Sequence, residues 1–333
     1  MCLHYGQTLL NKSLIAIFYW EERMKRCFLY PGQGAQYPGM GKDLYDHSEK
    51  IRKLFKTASE VTEINLEKLL FEGTEDDLKP TDKTQVAVTL INVASSILLK
   101  EEGIESALCA GFSLGEIAAF WDAGIIETDT IFYLVKERGR IMEKASRSLD
   151  SPTGSPGMAA VIGLDYDKIS SVIASENMSE LFIANYNSPS QIVVAGTDKG
   201  LSDAEKILKD AGAKRYIRLK VSGPFHSPLM KQAEIEYKEV VEKVKFNDPV
   251  KKVYSNVTGK LVATGDEAKQ LSSQQLTKAV LWVNEEKLLI EEGVQACIES
   301  GPGNVLTGLW KAVGGDIPCY PAGTIENITK LKG

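Results

Sequence analysis

Gly111-Phe112-Ser113-Leu114-Gly115 sits between the apolar run of residues 106–110 and the helix-like run of residues 116–121. No other segment limits the fold as strongly. A Gly-x-Ser-x-Gly turn needs a strand that ends at a carboxyl edge, a helix that begins at once, and glycines where a Cβ would clash. These demands imply an α/β architecture that lifts the serine hydroxyl out of the sheet and aims it along a helix N-terminus, where free backbone N–H groups can hold an oxyanion. Ser113 is the nucleophile candidate and acyl transfer the matching chemistry. The plainer alternative is a glycine-flanked helix cap.

A serine nucleophile needs a general base, and the chain has only three histidines, His4, His47 and His226. His4 lies in an N-terminal extension, and His47 sits among charges that read as a solvated helix end. His226, in Gly223-Pro224-Phe225-His226-Ser227-Pro228, follows the strand-like residues 215–221 and precedes a helical stretch, in the kind of loop that presents active-site groups. A lone loop histidine is most simply bonded to backbone. Its pairing with Ser113 favours the base role, for which a pKa near neutrality is suited.

At 333 residues, 43% of them hydrophobic, the chain can bury a large core in two lobes. The net charge of −6 and the lack of a basic stripe argue against nucleic-acid binding. The five dispersed cysteines form no Cys-x-x-Cys pair, which predicts reduced thiols in the cytoplasm and no metal site. No stretch approaches a membrane span. Residues 1–23 read as an extension ahead of a natural start at Met24.

Residues 27–30 read as the first strand. The Gly32-Gln33-Gly34 that follows is no dinucleotide fingerprint, because Tyr37 stands where the third glycine belongs. Residues 85–100 and 128–145 have helical patterns. The turn-rich residues 151–157 mark a boundary. Beyond it the pattern predicts β (158–163), α (167–175), β (181–184), β (191–195), α (199–211) and β (215–221), the order of a ferredoxin-like unit. A long helix to about residue 244, a strand over 252–256, further helix and a last strand over 293–299 complete the chain. The expected organisation is a catalytic domain over 24–154 and 222–330, with a small domain over 155–221 inserted between Ser113 and His226. The active site then lies in the cleft between them.

Six motifs occur in one order: Pro31-Gly32-Gln33-Gly34-Ala35-Gln36, Gly111 to Glu116, Glu137-Arg138-Gly139, Asn185-Tyr186-Asn187-Ser188-Pro189, Phe225-His226-Ser227 and Gly301 to Leu306. Together they closely resemble the malonyl-CoA:acyl carrier protein transacylases, over residues 24 to about 330. The resemblance implies an α/β-hydrolase-like large domain with a ferredoxin-like insertion. It implies Ser113 as nucleophile, His226 as base, and the Gln33 and Leu114 amides as the oxyanion hole. It further implies that Arg138 grips the malonyl carboxylate, that the Gln275 backbone carbonyl orients His226, and that Asn187, in a strand turn, faces the cleft. Malonyl-CoA and an acyl carrier protein are the implied partners, in fatty acid or polyketide synthesis, for a cytoplasmic monomer that needs no cofactor. The acidic carrier would meet a basic face at Lys206, Lys209, Lys214, Arg215, Arg218 and Lys220, which reads equally well as solvated surface. Two departures stand out: Phe112 where the family usually has histidine, and Lys278-Ala279-Val280-Leu281 before Trp282 where it often has Asn-Pro-Val. An acyl-thioester hydrolase using the same pair, or a non-catalytic acyl-CoA-binding protein, are the competing readings.

Overall fold

The computed structural model describes residues 24–152 and 154–332. The extension over 1–23, with His4, lies outside the described residues. In chain order the strands are β1 (Arg26–Tyr30), β2 (Leu108–Gly111), β3 (Gly157–Ile162), β4 (Leu181–Ser188), β5 (Gln191–Gly196), β6 (Arg215–Arg218), β7 (Lys252–Ser255), β8 (Lys260–Leu261), β9 (Ala296–Glu299) and β10 (Cys319–Pro321).

Cys27-Phe28-Leu29-Tyr30 has no polar side to turn towards water, which is how a strand covered on both faces reads. All four residues of this part of β1 are fully buried. β1 lies inside a six-stranded sheet ordered β10-β9-β1-β2-β7-β8, parallel throughout except for β8. Because its strands run the same way, the carboxyl ends of β9, β1, β2 and β7 lie side by side, and the loops leaving them form one crevice. β9 is not the last strand. β10 adds an edge beyond it, three residues with a proline, too short to give a periodic signal.

The helix Thr81–Glu101 is buried along most of its length, so its apolar pattern wraps nearly all round. It packs against the helix Thr128–Ser148, where a Cβ on Gly139 would stand 2.8 Å from Asp82 Cα. This close approach seats Arg138, the preceding residue, against the core.

Between these parts, β3 to β6 form an antiparallel sheet ordered β4-β5-β3-β6. Alternation gives its strands two faces. Ala159, Val161, Ile192 and Val194 pack under the helices Tyr166–Ser175 and Asp198–Asp210, while Met158, Ala160, Val193 and Ala195 join the main core. β4 runs four residues further than the sequence pattern predicts, so Asn187 belongs to a bulged strand rather than a turn. The edge of β4 is fastened to the larger part of the chain, with Tyr186 N–H donating to Val280 O at 2.8 Å and Val280 N–H to Ala184 O at 2.9 Å. Among the described residues no helix is long and apolar enough to cross a membrane.

Candidate active site

The turn at the end of β2 is tight enough to exclude side chains. A Cβ on Gly111 would collide with the Gly115 carbonyl, and one on Gly115 with the Tyr30 carbonyl. Ser113 itself is left-handed at φ 52°, a conformation that costs a non-glycine residue about 1–3 kcal/mol. Its amide donates to Asn256 Oδ1 at 2.7 Å, which helps hold that backbone in place. Asn256 follows β7, the strand beside β2.

His226 comes from the loop before the helix Lys231–Val241 and is also left-handed, at φ 59°. Its amide bonds to Leu276 O at 3.1 Å, and its Nδ1–H donates to Gln275 O at 2.8 Å. A carbonyl only accepts, so Nε2 is left as an acceptor, 2.7 Å from Ser113 Oγ. Among the described residues no carboxylate touches the ring. Burial, and then the Arg138 cation, push the pKa of His226 down to about 4 against the pull of the Gln275 and Lys278 backbone. This is well below the near-neutral value that base chemistry suggests from sequence, because among the described residues no anion offsets the desolvation.

Arg138 is 1% exposed. One Nη donates to Gln275 Oε1 at 2.8 Å, while Nε is buried without a partner among the described residues. With Ser113, His226, Asn187 and Gln33 it lines a cavity of about 200 Å³, whose wall also includes Phe112, Leu114, Met142, Met158, Val193, Leu219, Val221 and Phe225. No ion pair holds the guanidinium among the described residues. Asn187 is buried and its Oδ1 has no partner among the described residues, and Asn185 lines the same wall. The Gln33 and Leu114 amides make no hydrogen bond among the described residues. The two loops touch: a Cβ on Gly32 would strike the Phe112 carbonyl and lie 3.6 Å from Leu114 N.

Gln275 does more than sequence suggests. Besides its carbonyl on His226, its side-chain Nε2 donates to Ser113 O at 3.0 Å and Glu116 Oε2 at 2.5 Å. Three site residues escape sequence reading: Glu116, Asn256 and Glu285. Asn256 Nδ2 donates to Gly111 O and to Glu285 Oε1, each at 2.7 Å, and its amide donates to Glu116 Oε1 at 2.7 Å. Burial raises the pKa of Glu116 to about 7 and that of Glu285 well above the ordinary carboxyl range. The available signal was a lone acid opening an otherwise apolar helix, and an asparagine at the carboxyl end of a parallel strand. Phe112 also finds its place, with its ring edge-on to Trp282 at 5.6 Å and 73°. In the basic segment, Lys209 pairs with Glu205 and Arg218 with Asp198. Lys206, Lys214, Arg215 and Lys220 are exposed without an acidic partner among the described residues.

A family model described as an acyl transferase domain matches residues 27–313. The chain is 40% identical over 291 residues to the malonyl CoA-acyl carrier protein transacylase of Bacillus subtilis (strain 168), covering 87% of this chain and 90% of that one. An acyl carrier protein S-malonyltransferase from Vibrio cholerae, solved by crystallography, superposes with a TM-score of 0.87 at 34% identity, covering 92% of this chain and 99% of that one. A malonyl-transacylase solved in complex with its type II PKS acyl-carrier protein superposes with a TM-score of 0.86 at 32% identity, covering 92% and 98%. The chain belongs to the acyl transferase family, within its malonyl-CoA:acyl carrier protein transacylases.

Proposed function

We propose that the protein moves a malonyl group from malonyl-CoA to the phosphopantetheine thiol of an acyl carrier protein, through an ester on Ser113, in fatty acid or polyketide synthesis. One observation carries this reading. Arg138 is a buried guanidinium that, among the described residues, has an unpartnered Nε–H and touches no carboxylate, on the wall of the cavity that holds the Ser113–His226 pair. A planar fork of this kind suits a carboxylate, which it can bind through two parallel charge-assisted bonds.

In the cycle, His226 Nε2 takes the Ser113 proton as Oγ bonds to the thioester carbonyl carbon. The oxyanion receives the Gln33 and Leu114 N–H groups, each such donor being worth about 3 kcal/mol. Collapse breaks the C–S bond, and the proton on His226 leaves with the CoA sulfur. The carrier thiol then gives its proton to His226 and attacks the ester, and Ser113 recovers the proton as its C–O bond breaks. No cofactor enters, since CoA is substrate and phosphopantetheine belongs to the partner. The malonyl carboxylate also offsets the Arg138 charge that depresses His226. The base therefore strengthens when the right acyl group is bound. Acetyl-CoA offers the guanidinium no carboxylate to bind, a difference of roughly 3–5 kcal/mol, or selectivity on the order of 10²–10³.

In this reading residues 24–154 and 222–330 form an α/β-hydrolase-like catalytic domain, and 155–221 a ferredoxin-like insertion, supported by the order β4-β5-β3-β6 and its two helices. The unpaired cations Lys206, Lys214, Arg215 and Lys220 would face the acidic carrier.

A panel of acyl-CoA thioesters, scored by intact-protein mass, tests the proposal. The expected result is a malonyl adduct on Ser113 that disappears when carrier protein is added and reappears on the carrier. An adduct formed equally well from acetyl-CoA, or free malonate released at the same rate without carrier, would overturn it in favour of another acyl unit or of hydrolysis.

A further inference from the structure

Arg138 and Glu116 hold the two ends of one carboxamide. Gln275 Oε1 accepts from Arg138 at 2.8 Å, and its Nε2 donates to Glu116 Oε2 at 2.5 Å. Both ions are buried, at 1% and 0% exposure, so each needs the other's field. The groups facing Glu116 from each side are few. They are the Arg138 cation, the Asn256 amide at 2.7 Å, the Ser255 hydroxyl, the Glu285 carboxyl reached through Asn256, and the Tyr237 hydroxyl, buried and unpartnered. Arg138 is the only positive charge among them. Burial, and then the charge of Glu116, push the Glu285 carboxyl well above the ordinary carboxyl range.

We propose that Glu116 is the resident counter-ion of Arg138 and takes up one proton when a substrate carboxylate settles on the guanidinium. This rests on the reading of Arg138 given above. Before binding, the pair bridged by Gln275 holds one cation and one anion. A second anion would leave a net negative charge in a buried site. A proton from solvent, bonding to a Glu116 oxygen with the Ser255 hydroxyl beside it as acceptor, restores neutrality. Glu116 is the group placed to respond, because one carboxamide bridges it to Arg138 while Glu285 is reached only through Asn256, and because burial and the Arg138 cation hold His226 down at about 4. Glu116 is poised for it, since burial holds its pKa at about 7 even with Arg138 nearby.

The test is calorimetric titration of malonyl-CoA and acetyl-CoA into full-length Ser113→Ala, which cannot turn over, at pH 8 in buffers of different ionisation enthalpy. Acetyl-CoA carries the same nucleotide phosphates and so subtracts their titration. The expected result is uptake of close to one proton with malonyl-CoA beyond the acetyl-CoA value, falling towards zero at pH 6, where Glu116 is already protonated. Adding Glu116→Gln should abolish the excess uptake while malonyl-CoA still binds. Affinity in the Ser113→Ala protein should weaken up to tenfold per pH unit above 7, and in the double variant it should not. If the double variant does not fold, that pH dependence of affinity, against the acetyl-CoA control, decides the matter alone. Tight, selective malonyl-CoA binding without excess proton uptake would overturn the counter-ion role. Equal binding of the two thioesters would instead overturn the role of Arg138.

Discussion

Asn256 Oδ1 accepts the amide of Ser113 at 2.7 Å, and the same carboxamide reaches back to Gly111 O at 2.7 Å, so one side chain brackets the elbow from both sides of its strained residue. Its remaining contacts join Gln275 at 3.2 Å and Glu285 at 2.7 Å. Asn256→Ala takes a partner from the Ser113 amide, Gly111 O and Glu285 Oε1, while Gln275 Nε2 keeps its bonds to Ser113 O and Glu116; each of the three groups is worth about 1–3 kcal/mol when left unsatisfied. Because some will find new partners, a net loss of roughly 3–5 kcal/mol is expected by denaturant unfolding. Acyl-enzyme formation should fall with it. A loss under about 1 kcal/mol would show that the elbow holds its shape unaided.

His226 should leave a signature in acid stability. Its pKa is about 4 in the fold against 6.5 for a free side chain, so the unfolded chain binds the extra proton between those values. The stability contributed by keeping it neutral is full above pH 6.5 and declines as the pH falls towards 4, by about 3 kcal/mol in total. Glu116 and Glu286, raised to about 7 and 8, act in the opposite sense, losing stability as the pH rises from their unfolded value through those folded ones. Total stability thus blurs the effect, and the useful quantity is the difference between the wild type and His226→Gln. The variant should lose about 3 kcal/mol less than the wild type between pH 6.5 and pH 4. Parallel curves would mean that His226 is not held neutral by its surroundings.

The acyl preference rests on the shape of a cation as well as its charge. Arg138→Ala should lower kcat/KM for malonyl-CoA by roughly 10²–10³ and leave acetyl-CoA little changed. Arg138→Lys keeps the charge but lacks the fork, and a lysine amine cannot both hold Gln275 Oε1 and meet a carboxylate with two parallel bonds. It should recover less than a tenth of the lost selectivity. Competition between the two thioesters at fixed enzyme measures this directly.

Much of this arrangement was legible in the chain. Ser113 and His226 could be paired because a strained elbow announces itself by its glycines and because only three histidines were available. The strands and helices of the sheet β4-β5-β3-β6 could be read because 2.0- and 3.6-residue periods alternate cleanly between residues 157 and 218. What stayed hidden follows from the same physics. Glu116 reads as an ordinary first-turn acid, favoured there by the helix dipole in any surface helix, and only the packing of β7 and residue 275 over it makes it a buried ion. Asn187 sits in a strand lengthened by two register shifts, which no periodicity can carry. β10 is held by pairing with β9 alone, a long-range bond that three residues cannot encode.

Phe112 and Trp282 make each other intelligible, since the sequence departs from the family pattern at or just before both and the two rings meet edge to face, 5.6 Å apart. The pair links the elbow to the start of the helix Trp282–Glu291, whose Trp282 Nε1–H is anchored on Glu286 Oε1 at 2.8 Å. A T-shaped pair adds about 0.5–1.5 kcal/mol beyond the area it covers. Phe112→Ala should therefore destabilise the fold by about 1–3 kcal/mol, with Phe112 only partly buried. Phe112→His keeps a flat ring in the same place and should lose less, about 1 kcal/mol, because an imidazole covers less area and brings a polar edge to Trp282. A double-mutant cycle with Trp282→Leu isolates the ring contact from the cavity each truncation leaves. A coupling energy near zero would assign Phe112 to the cavity wall alone, and one of about 1 kcal/mol would make it the strut between the elbow and that helix.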